Sequence, residues 1–63
     1  MSKTDAEVRK ERLSHQIAEM QGQCSIADHY LTQDPYANIN YNLLQLEKAI
    51  AECRSIILIY ATG

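Results

Sequence analysis

Apolar residues in the first half of the chain recur at Leu13, Ile17, Met20, Cys24, Ala27 and Leu31, in alternating steps of four and three. This is the seven-residue stripe of a helix packed along one side. Upstream, Thr4-Asp5-Ala6-Glu7 carries a hydroxyl and a carboxylate at the spacing of a capping box, which places the start of a first helix near Thr4 and its extent at about residues 4–32. Gly22 falls on the outer face and leaves the stripe intact. The segment Thr32-Gln33-Asp34-Pro35 breaks the pattern, because proline disfavours helical geometry in the residue before it and suits the first helical position after a capping Asp. A turn at 33–34 and a second helix over about 35–61 follow. There the stripe resumes as Tyr36, Ile39, Leu43, Leu46, Ile50, Cys53, Ile57 and Tyr60. Two helices of similar length and a short turn predict an all-α antiparallel hairpin, a single domain spanning 1–63.

Folding about Gln33 and Asp34 sets a register in which Leu31 faces Tyr36, Ala27 faces Ile39, Cys24 faces Leu43, Met20 faces Leu46, Ile17 faces Ile50, and Leu13 faces Cys53. Extended further, it sets Lys10 against Ile57 and Ala6 against Tyr60, so the polar start of helix one cannot cover the apolar end of helix two. Leu44, Ala49, Ala51, Ile56, Leu58 and Ile59 add apolar surface beside the stripe. A helix apolar on so many sides is normally buried, and one partner helix cannot bury them all. Self-association is the simplest resolution, with a dimer of hairpins forming a four-helix bundle. The expected oligomer interface comprises Leu43, Leu46, Ile50, Ile56, Ile57, Ile59 and Tyr60. The competing expectation for residues 56–60 is a short strand or a frayed tail, given their β-branched content.

Size and charge narrow the range of functions. A 7.2 kDa chain buries only about 60% of the surface its unfolded form exposes, too little to enclose an ordinary catalytic cleft. Eight acidic and six basic residues, a net charge of −2, form no concentrated basic surface, so nucleic acid is not an expected partner. The charges between Lys3 and Arg12 alternate in sign, as on a solvated helix face. The opening residues are charged rather than apolar and the longest apolar run, Ile56 to Ala61, is far shorter than the roughly 20 residues of a membrane span. These features predict a cytoplasmic protein without a membrane partner. Cys24 and Cys53 fit neither a zinc spacing nor a redox pair and are expected to be small core residues, too far apart within one chain for a disulfide.

Candidate chemistry is sparse. Glu11, His15 and Glu19 share a helix face, but it is the charged outer one, and no Glu-x-x-His faces inward as a di-iron bundle requires. Neither Ser14-His15 nor Asp28-His29 brings a nucleophile, base and acid into one pocket. No enzyme activity, metal or cofactor is therefore expected. The unusual composition lies around the turn, where three of the four tyrosines fall beside several asparagines. Tyrosine supplies contact area at low entropic cost together with a hydrogen-bonding tip, which makes Tyr30, Tyr36, Asn38 and Tyr41 the candidate binding residues. The plainer alternative makes Tyr36 a plug at the end of the bundle. In length and topology the chain resembles small plasmid-encoded RNA-binding helical hairpins, though without a basic face. The pattern Leu-x-x-Leu-Glu-x-Ala, here residues 43–49, is similar to one in phage-encoded signal-nucleotide sponges; it covers seven residues and is common in helices.

The expected function is that of a small interaction protein, a self-associating helical hairpin that binds or inhibits another protein. The alternative is a small-ligand or nucleotide-binding sponge, such as a phage-encoded counter-defence factor, with pockets between chains near the tyrosine-rich turn.

Overall fold

The computed structural model describes residues 2–61; residues 1, 62 and 63 of the expected domain lie outside that range. It contains two helices, α1 over Asp5–Gln33 and α2 over Asn40–Ile59, packed side by side as a hairpin. The run Ile56 to Ile59 is the last turn of α2, so the strand alternative is excluded. Thr4 caps α1 as its sequence predicts: the Glu7 backbone N–H donates to Thr4 Oγ1 at 3.2 Å. The return half of the capping box takes another form, in which the Thr4 hydroxyl donates to Glu7 Oε1, also at 3.2 Å.

The second helix starts five residues later than the expected 35. Asp34 Oδ1 accepts from the Tyr36 N–H at 2.9 Å while the Asp34 carbonyl accepts from the Ala37 N–H at 3.0 Å. These two bonds close a β-turn with Pro35 at its second position, where proline is favoured. Asn38 then repeats the side-chain device, accepting from the Asn40 N–H at 2.9 Å. Such local bonds compete with helix formation, and the main-chain ladder begins only when Ile39 O accepts from Leu43 N–H at 3.0 Å. The expected turn at 33–34 is thus a connection over 34–39, and α2 ends at Ile59 rather than 61.

The helices meet along a line rotated from the predicted stripe. On α1 the half-buried and buried positions include Leu13, Gln16, Met20, Gln23 and Ala27; on α2 and its C-cap they include Asn42, Leu46, Ala49, Cys53, Ile56 and Tyr60. Half of each apolar stripe therefore enters the seam. The other half, Ile17, Cys24 and Leu31 with Leu43, Ile50 and Ile57, is exposed, contrary to the expected layers and to the core role expected of Cys24. Ala27 of the predicted stripe is joined in the contact by Ala49, Ile56 and the amide-bearing Gln23 and Asn42. The centre of the apolar stripe points between the neighbouring helix and the open face, so a single neighbour covers only one edge.

The resulting molecule is a slab measuring 49 × 21 × 12 Å. Its Cα radius of gyration is 15.1 Å, against about 11 Å for a compact chain of this length. Its core is correspondingly small, with Ala27, Ala49 and Ile56 the buried hydrophobic residues among those described.

Candidate interaction surfaces

Three surfaces follow from this geometry. The first is the apolar face. Ile17 and Leu31 of α1, with Leu43, Ile50 and Ile57 of α2, are each between 39% and 47% exposed, and on the adjoining outer edge of α2 Leu44 is 45% and Leu58 79% exposed. The chain exposes 5148 Å² in all, whereas a compact monomer of its mass would expose about 4,100 Å². Of the residues expected at an oligomer interface, Leu43, Ile50, Ile57 and Ile59 lie in the open, and Leu46 and Tyr60 are half-buried. Ile56 is the exception. At 2% exposure it is covered by its own chain, because α2 turns that residue, rather than Ile57, into the hairpin seam.

The second surface is the tyrosine-rich end. Topology gathers Tyr30 near the end of α1, Tyr36 and Asn38 in the connection, and Tyr41 in the first turn of α2. Tyr36 is 93% exposed and Tyr41 68%, so neither plugs the hairpin within this chain. Asn38 has a defined local task, since its carbonyl oxygen fixes the approach to α2.

The third is the polar side and the open end opposite the turn. One groove of about 370 Å³ runs past His15, Glu19, Gln23, Gln45, Lys48 and Glu52. His15 Nε2 and Glu19 Oε1 lie 4.0 Å apart, both side chains well exposed, a spacing and setting in which an ion pair contributes little. Among the described residues no group of three or more His, Cys, Asp or Glu converges to hold a metal ion. At the open end a groove of about 410 Å³ is lined by Ala6, Arg9, Lys10, Leu13 and Tyr60, among others. The Arg12 guanidinium stands 5.5 Å from the centre of the Tyr60 ring, and the Arg9 Nε is buried without a hydrogen-bond partner. Ala6 and Tyr60 line this same groove. Tyr30, Tyr36 and Tyr41 line neither of these grooves.

Sequence reasoning missed the polar contact inside the seam. Asn42 is 3% exposed and its Nδ2 donates to Gln23 Oε1 at 2.9 Å. The signal was present as a second seven-residue spacing, Gln16 and Gln23 on α1 with Asn42, Ala49 and Ile56 on α2, adjacent to the apolar stripe and overshadowed by it. Among the described residues no helix is long and apolar enough to cross a membrane. Comparison with protein-family models, curated proteins and solved structures finds no match.

Proposed function

We propose that this chain is a non-enzymatic interaction protein whose hairpins associate through the apolar face, most simply as a four-helix dimer, and present the tyrosine-rich end to a partner protein. The observation that carries this reading is the one-layer slab with a row of half-exposed Leu and Ile along one face. A stable domain ordinarily has at least two layers closing over a shared core. The excess surface over a compact monomer, about 1,000 Å², is comparable to the roughly 800 Å² that each partner buries in a standard interface. Sedimentation equilibrium at micromolar concentration tests it: a 14 kDa-class species, about twice the chain mass, is expected, and a stably folded 7.2 kDa species overturns it.

The open-end groove favours a second reading, capture of a planar anion such as a nucleotide. Arg9 and Lys10 supply two positive charges against the one carboxylate of Asp5, and Tyr60 a ring for stacking. Titration with adenosine monophosphate, followed by tyrosine fluorescence, tests this reading; an unchanged signal at millimolar ligand rejects it.

A further inference from the structure

The exposed side of α2 has an internal symmetry that its partner helix lacks. Counting outward from the midpoint between Ile50 and Ala51, Leu44 is matched by Ile57, Leu43 by Leu58, and Glu47 by Arg54. All these positions are exposed, and the helical period places them on one broad strip. An antiparallel copy of the same helix, related by a two-fold axis through that midpoint, would set apolar residues against apolar residues and carboxylate against guanidinium. The corresponding outer strip of α1 carries Glu11, Ser14, Ala18, Gln21, Ser25 and Asp28. Ile17 and Lys10 also fall on this strip, but it has no two-fold matched set of Leu and Ile around a central Glu–Arg pair.

We infer that the covering surface for α2 is α2 of a second copy, packed antiparallel about a two-fold axis at Ile50 and Ala51, with Glu47 paired to the partner's Arg54 and Arg54 to the partner's Glu47. The inference rests on the self-association proposed above and selects one arrangement from those a hairpin dimer could adopt. A two-fold interface is self-complementary, so each matched pair occurs twice. The apolar residues on either side exclude water, and the central charges fix antiparallel register and penalise shifted pairings. Ile17, Cys24 and Leu31 of α1 lie on the same side of the hairpin as Leu43, Ile50 and Ile57, beside this contact.

The test uses the full chain and three charge variants, with mass followed by sedimentation equilibrium and helicity by circular dichroism. Glu47→Arg and Arg54→Glu each replace two attractive contacts per dimer by two repulsive ones and should weaken association about tenfold or more. Combining both changes in one chain should restore association to within about threefold of the original. Mixing the two single variants should also produce a heterodimer, because one then carries arginine and the other glutamate at both positions. Disulfide capture gives a second readout. With Cys24 and Cys53 changed to Ser, Ala51→Cys should cross-link rapidly to its counterpart near the axis, whereas Ser55→Cys should not. A dimer insensitive to the single reversals, or one that neither the double variant nor the mixture restores, overturns this arrangement while leaving self-association standing. Failure of Ala51→Cys to cross-link in an intact dimer overturns it as well. A wild-type monomer overturns both.

Discussion

Gly22 stands in the middle of a 29-residue helix with nothing within 4 Å of the position a Cβ would occupy. Glycine there loses more backbone freedom on folding than alanine and gives no packing in return. Gly22→Ala should therefore stabilise the protein by about 1 kcal/mol, raising its denaturant midpoint without altering its mass. Tyr41 poses the opposite question. Its ring is largely in solvent, so Tyr41→Ala should leave helicity and assembly intact. If this end recognises a partner protein, the same change should weaken binding by about 2 kcal/mol, as interface tyrosines commonly do. Loss of folding on that substitution would instead make the ring structural and move the search to the exposed flank of Leu44, Ala51 and Leu58.

Between the two helices, the bond from Asn42 to Gln23 joins two amides in a seam that half-buried Gln16 also lines. Asn42→Ala leaves a partly buried carbonyl of Gln23 without its donor and should cost about 1–3 kcal/mol, whereas Gln23→Leu with Asn42→Leu removes both polar groups and should be near neutral. Thermal unfolding of the four members of that cycle checks the coupling. The same contact explains what could be read from the sequence at this scale. The existence, type and order of both helices were legible because steps of three and four persist through each and Pro35 interrupts them. The rotation of the helices was not, because a stripe that faces two directions at once has its centre between them. The start of α2 was also hidden, since Asp34 can cap a helix or close a turn with the same oxygen, and Asn38 tips the choice. Of the candidate site, the exposed tyrosines were readable from composition and position, while the buried amide pair was masked by the apolar residues beside it.

For the whole molecule, the two edges of the apolar stripe should respond differently to the same charge. Ile50→Asp places a carboxylate on the open face and should dissociate the assembly; Ile56→Asp places it inside the hairpin and should unfold each chain even at high concentration. Both follow from the cost of an unpaired buried charge, and sedimentation read beside circular dichroism separates them. A shared response to dilution, with both variants folded as monomers, would show that Ile56 is not holding the helices together.

A slab only 12 Å through its thinnest direction has another consequence. No main-chain amide in it lies far from water, so in a lone hairpin the slowest amide protons should exchange nearly as fast as local fraying of the helices permits. Any long-lived protection must then come from a second layer. Deuterium uptake by the middle of α2, around Ile50, should slow as protein concentration rises, while the first turns of α1 near Asp5 exchange at a rate independent of concentration. The chain would thus record its own encounters, amide by amide, in the time each proton takes to leave.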